Sequence, residues 1–224
     1  ELLDLLRRHD IALCAWEDLK PKQQEALRVH YLDNIFPLVT PLAMDPAHPF
    51  PFISNLSLNL LVTLYHPDDQ YPILARVKVP KELLRRFLSN GNNGDTLVPL
   101  DALIADNLAS LFPGMEVLEH ALFRVTRDTD YDVSDEADDV RRAVEQEIRR
   151  RRFGEVIRLE MHGDLEPRLR ERLVSLLGIG ADEVYDVGWI GMDDLFDVAG
   201  VSGFDELRYP RFSPVTQTRL QSPE

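Results

Sequence analysis

Cysteine is nearly absent from this 224-residue sequence, with Cys14 standing alone. A single thiol closes no internal disulfide and offers no spaced set of thiolates for zinc, which suits a reducing compartment. Long hydrophobic runs are missing too. No stretch approaches the roughly 18–20 apolar residues of a membrane helix, and the amphipathic start ELLDLLRRHD is unlike a secretion signal. The expected location is therefore the cytoplasm. The sequence also begins without methionine, and a piece of something longer is expected.

Positive charge is in short supply. Twenty-five Lys and Arg stand against 39 Asp and Glu, a formal net charge of −14. Such a surface repels nucleic acid and anionic lipid unless basic groups are strongly segregated. The basic clusters at Arg7 and Arg8, Arg85 and Arg86, residues 149–152, and Arg168, Arg170 and Arg172 fall mostly on expected helices. Solvated faces and C-terminal ends account for them there.

Phosphate-cradling glycine loops are lacking as well. GIGADE, from Gly178, carries Glu183 where a third glycine is needed, and no G-x4-GK occurs. His9, His30, His48, His66, His120 and His162 show no ligand spacing and no cysteine company, so no metal site is expected from neighbouring residues. DTDYDV, from Asp128, starts like a calcium loop. It then places Val133 at the position that demands glycine and Asp139 where a bidentate glutamate belongs. No nucleophile stands beside a local base.

What the sequence does have is a core's worth of apolar residues, 44% against 29% charged. The first 31 residues read as helix, turn, helix, with Pro21 opening the second. Five prolines then fall in residues 37–51 of PLVTPLAMDPAHPFPFISNLSLNLLVTL. Proline fixes φ and biases the residue before it towards extended shapes, so an ordered strap is expected. It runs into a clean alternation, Leu56, Leu58, Leu60, Val62 and Leu64, the mark of a strand with one core face. Ile73, Ala75, Val77 and Val79 alternate after the turn residues HPDDQ, predicting a hairpin.

A basic helix is expected over 81–88, a short extended run over 97–100 and a helix over 101–112, stopped by Pro113 and Gly114. Residues 117–126 read as a strand with Ala121, Phe123 and Val125 on one face and Leu122, Arg124 and Thr126 on the other. Ser134 is the expected N-cap of a helix reaching residue 152. A strand over 157–161, a helix from Pro167 to the stop at Gly178, a strand over 184–187 and a short helix over 192–198 complete the pattern. The fold class is α+β, a mixed, mostly antiparallel sheet with packed helices.

FRVTRD, residues 123–128, is the densest functional stretch. Arg124 on the outward face and Arg127 at the strand end could present two guanidiniums to an oxyanion, a geometry that guanidinium forks suit. The competing arrangement pairs both arginines with the seven carboxylates of residues 128–139, and on charge alone it leads.

FPLVTPLAMDPAHPFPFISNLSLNL, FRVTRD, RRRRFGEVIRLEM and RFSPVTQTRL, spread from residue 36 to residue 220, together resemble the long, phosphohistidine-type polyphosphate kinases. The resemblance implies a middle, or head, domain similar in fold to a small α+β phosphohistidine phosphatase. Residues 1–31 would be the last helices of an N-terminal helical domain, 32–212 the head domain, and 213–224 a linker towards absent catalytic domains. It implies a parent enzyme that moves the terminal phosphate of ATP reversibly onto inorganic polyphosphate, with magnesium. No cofactor is expected in this piece, no catalytic residue is carried over, and none of the six histidines is matched to the phosphohistidine. Arg124 and Arg127 are the expected polyphosphate contacts. The expected partners are the other domains, a second copy of the enzyme and polyphosphate; the piece itself is expected to be inactive and structural, serving dimer assembly and a polyphosphate tunnel. A stand-alone interaction or phosphatase-like module is the alternative.

Overall fold

The computed structural model describes residues 2–44, 50–68, 71–89, 96–128, 154–162, 165–215 and 217. Alternating apolar residues build a six-stranded sheet from β2 (Pro41–Met44), β3 (Leu58–Tyr65), β4 (Ile73–Lys78), β7 (Glu116–Arg127), β8 (Val156–Met161) and β9 (Val184–Asp186). Its order is β2-β4-β3-β7-β8-β9, antiparallel throughout except where β9 runs parallel to β8. A small second sheet joins β1 (Ala12–Leu13), β6 (Thr96–Pro99) and β5 (Phe87–Ser89), with β1 and β6 parallel. This is the expected α+β architecture.

Helices cover both faces of the larger sheet. While α1 (Leu2–Arg8) sets Leu6 against Ile11, Phe87 and Leu97 by the small sheet, α2 (Pro21–His30), α3 (Leu100–Asp106) and α4 (Leu108–Leu111) lie on one side of the larger one. There Trp16, Leu27, Tyr31, Leu103 and Ile104 pack on Leu60, Val62 and Leu64. On the other, α5 (Pro167–Leu177) sets Leu169 and Leu173 against Leu61, Phe123, Leu159 and Met161. Pro167 opens α5, and Gly178, at φ 69, closes it in the left-handed conformation that glycine adopts without a Cβ clash. A short helix, α6 (Phe196–Ala199), follows the sheet.

Three local expectations differ from the structure. Strand β3 buries both faces, because it lies between β4 and β7 with helices above and below. The helix expected over 81–88 is a turn, with Leu83 and Leu84 N–H both donating to the Pro80 carbonyl, followed by strand β5. Burial of Arg86 and Phe87 overrides the helical propensity of KELLRRFL. The helix over 101–112 breaks at Asn107, whose side-chain amide donates to the Leu103 carbonyl at 2.8 Å. The proline-rich lead-in also contributes β2, an edge strand opened by Pro41, a position where proline is tolerated. The helix expected over 134–152 and the calcium-like stretch beyond Asp128 lie outside the described residues.

Candidate functional site

Period-2 alternation places Leu122, Arg124 and Thr126 on the same face of β7. Register sets Arg124 opposite Glu160 and Thr126 opposite Arg158 of β8. The turn Met192–Leu195 lies over this face, carrying Asp193 and Asp194. Gly191, at φ 80, enters that turn in the left-handed conformation.

The result is one unbroken chain of alternating charge. Arg158 Nη2 lies 3.2 Å from Glu160 Oε1, and Glu160 Oε2 lies 2.5 Å from Arg124 Nε. Arg124 Nη1 lies 3.2 Å from Asp193 Oδ1, whose Oδ2 lies 3.5 Å from Lys81 Nζ. Lys81 Nζ reaches Asp194 Oδ1 at 2.9 Å, and Asp194 Oδ2 reaches Arg86 Nη1 at 3.1 Å. Arg86 Nε and Asp101 Oδ1 close the row at 2.6 Å, an ion pair without hydrogen-bond alignment. Arg86 is almost fully enclosed, under Trp189.

Electrostatics follow the pairing. Burial alone would raise the Glu160 pKa, but Arg124 and Arg158 outweigh it and hold the carboxyl below its ordinary value. Asp193 behaves likewise, burial being outweighed by Lys81 and Arg124. Burial works against the charge of Arg124 too, yet Glu160 and Asp193 raise its pKa on balance. Asp101 is the exception: burial pushes its pKa up despite Arg86.

Arg127 belongs to a different environment. A register shift between Thr126 and Arg127 ends the regular ladder, and its backbone N–H is held by Asn55 Oδ1 at 2.8 Å. Its Nε donates to the Ile53 carbonyl at 2.8 Å, its Nη1 to the Gly154 carbonyl at 2.7 Å, and the guanidinium sits 4.1 Å from the Phe52 ring centre. Burial lowers its pKa. The cleft beside it, about 520 Å³, also carries Glu155 and Glu183, whose charge opposes an anion.

Arg124 thus points outward as its parity requires, but into a ring of carboxylates from β8 and residue 193. Arg127 turns to backbone carbonyls instead. The two guanidiniums share no partner among the described residues. Lys81, Asp193 and Asp194 carried no sequence signal, being brought together across a separation of more than a hundred residues. Among the described residues, no three His, Cys, Asp or Glu side chains are placed to hold a metal ion. No described helix is long and apolar enough to cross a membrane.

This sheet and its helical cover define a class that known proteins share. The model of the polyphosphate kinase middle domain matches residues 22–198. Polyphosphate kinase of Thermosynechococcus vestitus is 40% identical over 232 residues, covering 100% of this chain and 32% of that protein. Polyphosphate kinase of Aphanizomenon baltica is 41% identical over 98% of this chain and 60% of that protein. The crystal structure of polyphosphate kinase from Porphyromonas gingivalis shares the fold, with a TM-score of 0.72 at 22% identity, over 97% of this chain and 31% of that one. The chain belongs to the polyphosphate kinase family and is its middle domain. It spans about a third of the length of the Thermosynechococcus relative.

Proposed function

We propose that this chain serves as the head domain of an enzyme that reversibly transfers the terminal phosphate of ATP to inorganic polyphosphate through a phosphohistidine. The observation that carries this reading is the family match across residues 22–198. In it, ATP, magnesium and the phosphohistidine act in other domains of a cytoplasmic parent. This domain is structural: it packs against those domains, supports a homo-oligomer and forms one wall of the polyphosphate tunnel, and it is inactive alone. The test is ATP turnover by the 224-residue chain with polyphosphate and magnesium. Background turnover is the expected result, and a rate near ~1 s⁻¹ or above, the ordinary enzyme scale, would overturn it.

Within this reading Arg127 and Arg124 meet the polyanion. What supports Arg127 is a half-buried guanidinium fixed by two carbonyls and an aromatic ring. In the complete enzyme, Arg127→Gln should weaken polyphosphate by about 1.5–3 kcal/mol, the scale of a hydrogen bond to a charged group. That is roughly a ten- to hundredfold rise in the KM for polyphosphate. A folded Arg127→Gln enzyme with an unchanged KM would leave Arg127 as a clamp between the lead-in and β8.

A further inference from the structure

The charge row contains one weak link. Besides a hydrogen bond from its own backbone, the Asp193 carboxylate is held by Arg124 and Lys81, at 3.2 and 3.5 Å, and its side chain is 64% exposed. The two cations it joins are 15% and 17% exposed, so each is presented at the surface yet shielded from bulk water. An exposed ion pair contributes little to stability and exchanges readily with other anions. Arg124 and Lys81 both reach opposite oxygens of one carboxylate, which is also the arrangement that would grip two oxygens of one phosphate group.

We propose that the gap between Arg124 and Lys81 is a binding site for one phosphate group of a linear phosphate polyanion, with the Asp193 carboxylate as its internal competitor. Binding is an exchange of oxyanions and breaks no covalent bond. The phosphate takes two oxygens to Arg124 Nη1 and Lys81 Nζ, and the Asp193 side chain turns out to water. The backbone of the turn stays in place, because neighbouring Ile190 is buried and Asp194 remains bound to Lys81 and Arg86. Of the row's four cations and four anions, only Asp193 leaves, so the vacated site has one surplus positive charge in a chain of net charge −14. Affinity is accordingly low at rest and is set by residue 193. The inference rests on Arg124 being a polyphosphate contact.

The test is calorimetric titration of the 224-residue chain with sodium tripolyphosphate at low ionic strength. Asp193→Asn should bind at least tenfold more tightly than wild type. Adding Lys81→Gln to Asp193→Asn should remove the gain. Asp182→Asn, which changes net charge equally at an exposed position away from the row, should stay within twofold of wild type. Equal effects of Asp193→Asn and Asp182→Asn, or a gain that survives Lys81→Gln, would overturn the proposal. Kinetics of the complete enzyme separate this from the parent reading. A raised polyphosphate KM in Arg124→Gln, beside an inert Asp193→Asn, removes only the competitor role, whereas an unchanged KM in Arg124→Gln removes Arg124 as a contact.

Discussion

On one face of β7, Ala121, Phe123 and Val125 meet Ile53, Leu159 and Leu173 and are closed off from water. On the other, Arg124 stands among Glu160 and Asp193, and the row continues through Lys81 to Arg86 and Asp101. The first face is held by non-directional burial, which is large and nearly independent of salt and pH. The second is held by matched charges, each pair small in net effect, because desolvation cancels much of the attraction. One strand therefore has a face that keeps it folded and a face whose partners can be exchanged. That division suits a domain proposed to hold still while a polyanion moves past it.

The comparison predicts its largest effect on the apolar side. Phe123 is fully buried, and Phe123→Ala leaves a cavity between the sheet and α5. The expected loss is about 3–5 kcal/mol in urea denaturation, with an unchanged slope on denaturant. A loss below about 1 kcal/mol would mean that this face does not carry the fold.

Next comes the buried end of the charged row. Arg86 is 3% exposed and pairs with Asp101 and Asp194. Arg86→Met removes the cation, strands Asp101 and leaves Asp194 to Lys81, which should cost on the order of 3 kcal/mol. Replacing all three by apolar residues should recover much of that loss, since a missing partner costs more than a missing pair. If the triple variant is no better than Arg86→Met, the pairing itself and not the stranded charge holds this corner.

These two faces were not equally legible in the sequence. The apolar one was: alternation in residues 117–126, Pro167 and Gly178 at the ends of α5, and the 58–78 hairpin all state their structure locally. The parity that sends Arg124 away from Phe123 was legible for the same reason. The charged row was not, because Lys81 and Asp194 meet across 113 positions and no spacing rule connects them. Arg86 was concealed further by local propensity. KELLRRFL is a good helix on its own, and only burial under Trp189 makes it a turn and a strand. Pairing of β1 with β6 is likewise non-local, and two residues are too short to alternate visibly.

A third prediction separates carboxylates by the sign of their response to acid. The folded-state pKa of Glu160 is lowered, so its contribution is fully present above the unfolded value near ~4.3 and is lost as pH falls through the lower folded value. Asp101 has a raised pKa, so its folded form takes up a proton first. Its penalty is complete above the raised value and relieved as pH falls towards the unfolded value near ~3.9. Thermal melts between pH 7 and 3 should show the wild-type advantage over Glu160→Gln shrinking on acidification. The wild-type deficit or advantage relative to Asp101→Asn should move the other way. Slopes of the same sign would contradict the assignment of burial as the controlling influence at Asp101.

The smallest effect is expected at the open end of the row. Arg158 is 40% exposed at its side chain, pairs with Glu160 at 3.2 Å, and lies 4.0 Å from the centre of the Tyr185 ring on the edge strand β9. An exposed ion pair contributes roughly 0–1 kcal/mol and an exposed cation–π contact about 0.5–1 kcal/mol, and the two share one side chain's ordering cost. Arg158→Ala should therefore cost no more than about 1 kcal/mol. Salt decides which contact matters, because the ion pair is screened beyond ~0.1 M while contact of the guanidinium plane with the ring is less so. If Arg158→Ala and wild type converge in stability as salt rises, Glu160 is the effective partner. If the gap persists, Tyr185 is, and the row ends at Glu160. In either case the effect stays well below that of Arg86→Met, because the same kind of charge is enclosed at one end of the row and open to water at the other. A cost at Arg158 equal to that at Arg86 would mean that burial does not grade this row.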